Sequence, residues 1–429
     1  MCPPSGDQVK PHQDGTGDES SKHAEPFPWH IGVYDAHCHV TDTMSSVANI
    51  AGMRARVLTI MATRSQDQEL VSSVAAQHGI ASRAKFDNAL SAEASERVIP
   101  AFGWHPWFSH EFYDDAAKDI TFDPSGDIDE QKTRHYTAVL SPAPEPDFIA
   151  SLPVPKALSS FIDETRERLL SNPLALVGEI GLDRAFRLPQ GWHQSKDVER
   201  SEGLTPGGRD GRLLSPHHVK LPHQAEILKA QLRLAGELGR AVSVHGVQAH
   251  GVVYETLASL WKGHEKEVMS RRQQRRVAEG AEDFSSSEDE DYDDDDDDDA
   301  EKEKPRKRAR KPYQPKPFPP RICLHSFSGP PQMLQQYLNP AIPAHIFFSF
   351  SVVVNLSTAG GEGKFAEVIR ACPNDRLLVE SDIHTAGEEM DQLLEQICRK
   401  VCEIKGWSLS DGLERLKKNY EEFLFGGGR

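Results

Sequence analysis

Paired cysteines, long apolar segments and a signal-like N-terminus are all missing from this chain of 429 residues. The six cysteines include no CxxC pair and no spacing typical of a disulfide framework, so we expect a reducing compartment, the cytoplasm, the nucleus or both. No apolar run approaches the ~18 residues that cross a membrane, so we predict no membrane partner. The N-terminal segment also lacks the apolar region of a secretory signal.

A surplus of basic residues is absent too, because the formal net charge is −17. Much of that charge lies in one acidic block at 285–303, and such like-charge runs repel and stay disordered. The basic run at 304–311 has two interpretations: a nuclear-localisation patch, or a solvated linker that neutralises the acidic block. Overall charge therefore neither favours nor excludes a nucleic-acid partner.

Apolar, β-branched runs alternate with helix-like segments through most of the chain. The clearest helical period lies at 223–239, where we expect Gly239 to end the helix, and similar patterns cover 155–170 and 388–404. This alternation indicates a parallel sheet covered by helices, and eight strands predict a (β/α)8 barrel of the TIM type. The predicted strands are 31–37, 55–61, 97–103, 174–180, 241–245, 321–325, 345–351 and 376–381.

The barrel domain is predicted at 30–426, after a disordered tail at 1–29. Two insertions interrupt it, a loop at 184–221 and a disordered segment at 264–319 that holds the acidic block. The second insertion has too few apolar residues to fold alone. The first insertion follows the fourth strand, at the end of the barrel where active sites lie. The sequence contains no internal repeat.

Histidines and carboxylates end most of the predicted strands. His37 and His39 are two residues apart, so their side chains would point to the same face of a strand. Barrel enzymes carry functional residues at the carboxyl ends of strands, so we expect all of these side chains to meet in one pocket. The strand-end residues are His37, His39, His105, Glu179, Asp183, His245, His325, Glu380 and Asp382.

These residue types predict a metal site. Imidazole and carboxylate are typical ligands of zinc and manganese, and carboxylate also suits magnesium. Glu179 has two oxygens that could bridge two ions, and two ions about 3.5–4 Å apart can stabilise both the attacking and the leaving oxygen of a phosphodiester displacement. We therefore predict two divalent metal ions, zinc, manganese or magnesium. Taken singly, His245 or His325 could instead be a hydrogen-bonded core histidine.

Other residues near the strand ends are less informative. Trp104 and Trp107 flank His105 and Pro106, and they either stack on a nucleic-acid base or pack as rim residues. Strand parity turns Cys38 and Cys323 away from the metal side, which favours packing thiols. We assign no role to three further histidines: His250, His345 and His384.

The motifs "DAHCHV", "GWHPW", "VGEIGLD", "VHGVQA", "HSFSG" and "LLVESD" stand in this order along the chain. In these motifs the chain resembles the TatD-like metal-dependent hydrolases from about 31 to 426, the insertions excepted. It resembles particularly a fungal branch named for an interaction with a cell-cycle protein. The resemblance implies a (β/α)8 barrel with metal-dependent DNase activity and, for the fungal branch, a protein partner from a cell-cycle complex.

The resemblance also implies site residues by position. Glu179 would bridge the two ions and take part in catalysis. Asp382 would act as the base that orients or deprotonates the attacking water, and His105 would lie near the substrate phosphate. The implied metal ligands are His37, His39, Glu179 and Asp382 for one ion, and Glu179, His245 and His325 for the other.

Two positions depart from the family pattern. Val247 stands where the family usually has an arginine, two residues after the strand-five histidine. His384 stands where a proline usually follows the strand-eight aspartate. A missing arginine removes a bidentate contact to phosphate, so we expect weaker substrate binding, while all predicted metal ligands are kept.

Three functions remain open on the sequence. The leading hypothesis is a metal-dependent deoxyribonuclease that acts on DNA or on a nucleotide-like end. The core has no basic stripe with interleaved aromatic residues, so extended duplex binding is not indicated. The alternative is a protein-interaction scaffold with a retained or vestigial metal site. A third possibility is hydrolysis of an amide or ester bond by the same metal-activated water.

Overall fold

Eight parallel strands form one sheet, in which each strand pairs with the next one along the chain. The computed structural model describes residues 25–88, 96–191, 205, 212–268, 313–357 and 361–427. The strands are β1 (Tyr34–Cys38), β2 (Val57–Met61), β3 (Val98–Phe102), β4 (Leu176–Asp183), β5 (Ala241–Val247), β6 (Arg321–Leu324), β7 (His345–Phe350) and β8 (Leu377–Val379). Each lies within or beside its predicted run, so the eight predicted strands are confirmed.

The sheet closes into a barrel where the chain leaves β8. The backbone N–H of Asp382 donates to the carbonyl of His37 at 3.0 Å, and the N–H of His39 donates to the carbonyl of Ile383 at 2.9 Å. These bonds join the first and last strands at their carboxyl ends. The predicted (β/α)8 barrel is therefore confirmed.

Helices cover the outside of the sheet. Within the described residues the α-helices are Ser65–His78, Arg83–Asn88, Ile128–Val139, Pro146–Ser151, Leu158–Ser171, Leu221–Leu238, His250–Trp261, Pro331–Tyr337, Val352–Asn355, Gly361–Ala371, Glu388–Lys405 and Leu409–Phe425. The 3-10 helices are Trp29–Ile31, Val40–Gly52 and Pro106–Glu111. Two short strand pairs lie outside the barrel: Phe112–Tyr113 with Lys156–Ala157, and Leu140–Ser141 with His218–Val219. None of the described helices is both long and apolar enough to cross a membrane.

The three helices predicted from periodicity are confirmed. The pattern at 223–239 corresponds to Leu221–Leu238, and Gly239 follows it in the left-handed conformation with φ of +68°. This conformation has little steric cost for glycine, which explains why the helix ends there. The other two predicted helices occur at Leu158–Ser171 and Glu388–Lys405.

The last helix, Leu409–Phe425, covers the amino-terminal end of the barrel. Its Asn419 side chain donates to the carbonyl of Leu377, the first residue of β8, at 2.8 Å. The guanidinium of Arg321, the first residue of β6, donates to the carbonyl of Phe423 at 2.7 Å. In the described residues the amino-terminal end of the barrel is therefore covered by a packed helix.

The predicted tail and insertions lie partly outside the described residues. Of the tail only 25–29 is described, and there Phe27 and Trp29 pack against the core. The first insertion is described at 184–191, 205 and 212–221, where its two ends pair across a bridge from Pro189 to Leu214. The second is described at 264–268 and 313–319. The disorder expected elsewhere in these segments stays a prediction.

Candidate metal centre

All six predicted metal ligands lie at the carboxyl end of the barrel. His37, Glu179 and His245 belong to β1, β4 and β5. Three further residues follow the ends of β1, β6 and β8: His39, His325 and Asp382. Each of the six residues is at most 7% exposed, so their polar atoms face one another rather than solvent.

Strands β4 and β5 come unusually close beside Glu179. Gly181 pairs with His245 and has φ of +151°. A Cβ atom at position 181 would lie 2.1 Å from the carbonyl oxygen of His245. Only glycine tolerates such an approach, so the sequence GEIGLD is what allows Glu179 and His245 to share one pocket.

The carboxylate of Glu179 lies between two pairs of histidines. Its Oε2 atom is 3.6 Å from Nε2 of His37 and 3.4 Å from Nε2 of His39. Its Oε1 atom is 2.9 Å from Nδ1 of His245 and 2.8 Å from Nε2 of His325. One carboxylate oxygen therefore faces each pair, which is the arrangement that a bridging ligand requires.

Asp382 completes the side of the site that His37 and His39 form. Its Oδ1 atom is 3.5 Å from Nε2 of His39 and 3.9 Å from Nε2 of His37, and it is buried without a hydrogen-bond partner. The two Nε2 atoms are themselves only 3.1 Å apart. A buried acceptor without a partner beside two converging imidazole nitrogens fits a divalent cation.

Ligand-type atoms crowd together throughout the pocket. In each of four triplets, the candidate ligand atoms lie within 4.8 Å of one another. The triplets are His37, His39 and Asp382; His37, Glu179 and His325; His105, Glu179 and His245; and His325, Glu380 and Asp382. The structure thus brings together every residue that sequence reasoning placed in the centre, and their roles as ligands stay predictions.

Two of the histidines are oriented by a second polar residue. Nδ1 of His37 lies 2.8 Å from Oγ of Ser243, and Nε2 of His245 lies 3.2 Å from Oδ2 of Asp183. Metal-binding histidines usually make such a bond through the nitrogen that does not bind the ion. Sequence reasoning listed Asp183 only as a strand-end carboxylate and missed Ser243, which alternation along β5 places on the same face as His245.

Glu380 lies behind His325 and beside Asp382. Its Oε1 atom accepts bonds from the backbone N–H of Ser326 at 2.7 Å and from its hydroxyl at 2.5 Å, and lies 3.6 Å from Nδ1 of His325. The same hydroxyl is 3.2 Å from Oδ2 of Asp382. Ser326, which sequence reasoning did not identify, thus holds two carboxylates in place. The "HSFSG" motif was the available signal.

Asp35, on the first strand, bonds to the segment that follows the last strand. It accepts bonds from the backbone N–H groups of His37 and Ser381, both at 3.0 Å, and from the hydroxyl of Ser381 at 2.5 Å. Burial raises the pKa of Asp35 to about 7, although the bonds from Ser381 and His37 lower it. Sequence reasoning overlooked this residue, which faces β8 rather than the pocket's ligands.

His105 faces Glu179 from β3's carboxyl end. Its Nδ1 accepts a bond from the backbone N–H of Trp107 at 3.2 Å, and its Nε2 lies 3.2 Å from Oε1 of Glu179. Burial lowers the pKa of His105 to about 4, so the ring is neutral and the network assigns its proton to Nε2. A protonated Nε2 donates to Glu179 and cannot bind an ion. The predicted contact with substrate phosphate remains a prediction.

The charged groups of the pocket stabilise one another. Burial alone would raise the pKa of Glu179, but the neighbouring imidazoles of His105, His325 and His37 hold it well below its usual range. Burial would lower the pKa of His39, yet the neighbouring carboxylates of Asp382 and Glu179 raise it to about 9. Glu179 is therefore an ionised carboxylate that attracts positive charge into the pocket.

The two residues that depart from the family pattern, Val247 and His384, lie at the mouth of the pocket, which is its opening at the carboxyl ends of the strands. Val247 ends β5, half-buried, opposite Asp183 on β4. The exposed ring of His384 bonds through Nδ1 to Oδ2 of Asp42 at 2.8 Å, and the guanidinium of Arg64 donates to Oδ1 of Asp42 at 3.2 Å. His384, to which the sequence assigned no role, therefore belongs to a polar network on the rim.

The two tryptophans near His105 differ in their surroundings. Trp104 is 4% exposed, donates to the carbonyl of Phe108 at 2.9 Å and packs against Phe112 with ring centres 4.4 Å apart. It is a core residue, so the suggestion that Trp104 stacks on a base is wrong. Trp107 is half-buried at the mouth.

Both cysteines expected to be packing thiols are buried. Cys38 donates from Sγ to the carbonyl of Thr59 at 3.5 Å, and Sγ of Cys323 lies 3.2 Å from Oγ of Ser349. Neither thiol points into the cluster of histidines. For Cys38, which lies between His37 and His39, this agrees with the parity argument. Cys323 is two residues before His325, so strand parity places these two side chains on the same face, and the parity argument is wrong for Cys323 although its thiol is a packing thiol.

Comparison with known proteins identifies the family. Residues 34–425 match the family model described as TatD related DNase. The Cut9-interacting protein scn1 of Schizosaccharomyces pombe is 34% identical over 392 residues, which cover 91% of this chain and 98% of that protein. An uncharacterized deoxyribonuclease of Saccharomyces cerevisiae is 25% identical over 408 residues, with coverage of 91% and 98%. The crystal structure of an uncharacterized amidohydrolase from Saccharomyces cerevisiae is 15% identical and aligns with a TM-score of 0.48 over 91% of this chain and 99% of that one.

The family match extends from the first barrel strand to the last residue of the final helix. It therefore includes all of the residues that form the candidate metal centre. With the fold, the cluster of ligand-type side chains and this match in agreement, the chain belongs to the TatD-related DNase family of metal-dependent hydrolases.

Proposed function

We propose that this protein is a metal-dependent deoxyribonuclease that hydrolyses phosphodiester bonds at a two-metal site. The observation that carries the proposal is the division of the two Glu179 oxygens between two pairs of histidines. One ion would be held by Oε2 of Glu179, and the other by Oε1. The other ligands would be His37, His39 and Asp382 for the first ion, and His245 and His325 for the second.

The pocket residues would hold and orient the reactants. Divalent ions bound there would supply a reactive water and offset the charge that develops on the phosphate. Asp382 would both hold the first ion and orient the attacking water or take its proton, and its Oδ1 atom is buried in the pocket and accepts no hydrogen bond. The hydroxyl of Ser326 holds the other oxygen of Asp382 at 3.2 Å, which orients Oδ1 toward the pocket.

DNA is the substrate that the comparisons favour. The family is described as TatD related DNase, and the Saccharomyces cerevisiae relative is named a deoxyribonuclease. The catalytic residues are recessed at the barrel's carboxyl end, where each is at most 7% exposed. Such a pocket admits a strand end more readily than the middle of a rigid duplex. We therefore propose cleavage from the ends of single strands.

A nuclease assay with metal analysis tests this proposal. Purified protein is incubated with single-stranded DNA and added Mg²⁺, Mn²⁺ or Zn²⁺, beside Glu179→Gln and a control, Asp391→Asn. Asp391 is a buried carboxylate that accepts the backbone N–H groups of Arg54 and Ala55, neither of which belongs to the metal centre. We expect cleavage by the wild type and the control but none by Glu179→Gln. Equal cleavage by Glu179→Gln, or turnover of acyl but not phosphodiester substrates, would refute it.

A second candidate function is protein interaction. It is favoured by the 34% identity to a protein named for its interaction with Cut9. In this case the barrel would serve as a scaffold in a cell-cycle complex, in the cytoplasm or the nucleus, with a retained or vestigial metal site. Metal binding without any cleavage, together with direct binding of a purified Cut9-type protein, would support this function over the first.

A further inference from the structure

Two aromatic rings stack at the mouth, beside the His245 side of the metal centre. The rings of Trp107 and Phe186 have centroids 4.3 Å apart and planes only 9° from parallel. Both side chains are half-buried, so the pair keeps a surface toward the opening. Trp107 follows β3 and Phe186 follows β4, so both rings lie at the catalytic end of the barrel.

One carboxylate fixes both rings. Oδ2 of Asp183 accepts a bond from Nε1 of Trp107 at 2.6 Å, and Oδ1 accepts bonds from the backbone N–H groups of Ala185 at 2.7 Å and Phe186 at 2.9 Å. Oδ2 also lies 3.2 Å from Nε2 of His245. The aromatic pair is therefore preorganised and connected through Asp183 to a predicted metal ligand.

Positive charge lies next to the stacked pair. Arg184 and Arg187 flank Phe186 in sequence, and both side chains are exposed. The backbone N–H of Arg184 donates to the carbonyl of Val247 at 3.1 Å, which places this arginine at the edge of the mouth. An aromatic face beside guanidinium groups is the combination with which proteins bind unpaired bases and their phosphates.

From these contacts we propose that Phe186, backed by Trp107, forms a subsite for one unpaired nucleobase of the substrate strand. The base stacks on the side of Phe186 opposite Trp107, and Arg184 and Arg187 contact the neighbouring phosphates. A base inside a duplex has both faces covered, so the subsite favours the unpaired bases of a single strand over the interior of a duplex. The inference rests on the proposed nuclease function and adds to it the part of the substrate that is recognised.

Binding measurements with two probes test the subsite. Fluorescence anisotropy is recorded for a short single-stranded oligodeoxynucleotide and for the same strand with abasic terminal nucleotides, with a chelator present so that no cleavage occurs. Because stacking is lost at the abasic ends, we expect the wild type to bind the abasic probe roughly 5- to 150-fold more weakly. Changing the probe leaves the protein's folding untouched.

Variants then assign the effect to residues. Phe186→Leu keeps an apolar side chain but removes the ring, so we expect it to bind both probes equally. Arg184→Gln should weaken both probes alike and reduce the dependence of affinity on salt, because it removes a phosphate contact. Trp407→Leu is the matched control: Trp407 is a half-buried tryptophan between the last two helices, with the side chain of Arg415 5.4 Å from its ring.

The outcomes separate the subsite from the nuclease activity. Equal binding of both probes by the wild type, or discrimination that survives in Phe186→Leu, overturns the subsite. Cleavage of single-stranded DNA is measured in parallel with added metal. Cleavage without base discrimination rejects the subsite and leaves the proposed function standing, whereas discrimination without cleavage keeps the base-binding site and rejects the nuclease.

Discussion

The carboxylate of Asp183 determines which nitrogen of His245 carries a proton. Oδ2 accepts from Nε1 of Trp107, which can only donate, and from Nε2 of His245. In Asp183→Asn, the remaining oxygen would stay with the backbone N–H groups of Ala185 and Phe186. The new amide NH₂ would then face two N–H donors. His245 removes one of these two donors by moving its proton to Nδ1, the atom that faces Glu179, whereas Nε1 of Trp107 keeps its proton.

We expect Asp183→Asn to lose metal affinity only on the side of the centre that His245 forms. Nδ1 of His245 lies 2.9 Å from Oε1 of Glu179, and a protonated nitrogen there cannot bind an ion. Removing such an outer hydrogen bond typically lowers metal affinity 10- to 100-fold, or by about 1.4 to 2.7 kcal/mol. His37 and His39 contact Oε2 instead, and neither side chain bonds to Asp183. We therefore expect one ion to be weakened and the other to be unchanged.

Chelator titration of the metal-loaded protein measures this difference. The wild type should release its ions at higher chelator concentration than Asp183→Asn, which should release one ion early and the second at the wild-type position. Asp391→Asn serves as the control for loss of a buried carboxylate, and thermal melting of all three proteins checks their folding. Equal weakening of both ions in Asp183→Asn, or no weakening at all, would refute the division of the centre at Glu179.

Three further predictions concern stability. Burial lowers the pKa of His110 to about 3 and of His135 to about 4, so below pH 6.5 the unfolded chain binds protons that the folded protein excludes. At pH 5 each histidine should cost about 2 kcal/mol, measured by urea unfolding at pH 7 and pH 5. Asn419→Ala should lower the free energy of unfolding by about 2 kcal/mol, because the Asn419 side chain bonds to the carbonyls of Asn374 and Leu377, both at 2.8 Å. Chelation of bound metal should lower the melting temperature, since ions at 100 times their dissociation constant stabilise by about 2.7 kcal/mol.

Each of the three stability predictions has a variant or a measurement that could contradict it. His135→Gln should flatten the loss of stability between pH 7 and pH 5, and an unchanged slope would contradict the assignment to this histidine. Asn419→Ala should keep wild-type metal affinity, because Asn419 lies at the opposite end of the barrel from the metal centre. For the chelation experiment, Glu179→Gln should show a smaller shift in melting temperature than the wild type, and an equal shift would place the ions elsewhere.

Most of the barrel was predictable because its signals are local. Each strand is a short apolar run, and helices such as Leu221–Leu238 show a clear period and a glycine stop. The 3-10 helix Val40–Gly52 and the short strand pairs outside the barrel were not predicted. Their residues are ordered by contacts to distant segments, such as the bond from Asn49 to the carbonyl of Ala386 at 3.1 Å. The periodicity of one segment cannot predict contacts with residues that are distant in the sequence.

The residues that face the pocket were easier to predict than those that support them. A histidine at a strand end is unusual enough to be noticed, whereas Ser243 and Ser326 are common residue types. Their roles depend on which strand lies beside them: Ser243 on β5 reaches His37 on β1, across the interior of the barrel. Trp104 was misjudged for the same reason, because its burial against Phe112 is a property of the folded structure.

Val247 and His384, the two residues that differ from the family pattern, lie apart from the ligand-type atoms of the metal centre. The Nε2 atoms of His37 and His39 lie 3.1 Å apart, and Oδ1 of Asp382 is buried without a hydrogen-bond partner, an arrangement that a bound cation would stabilise. Val247 and His384 contribute none of these atoms, since both lie at the mouth. The two departures therefore change side chains at the mouth, while all of the ligand-type side chains inside the pocket are kept.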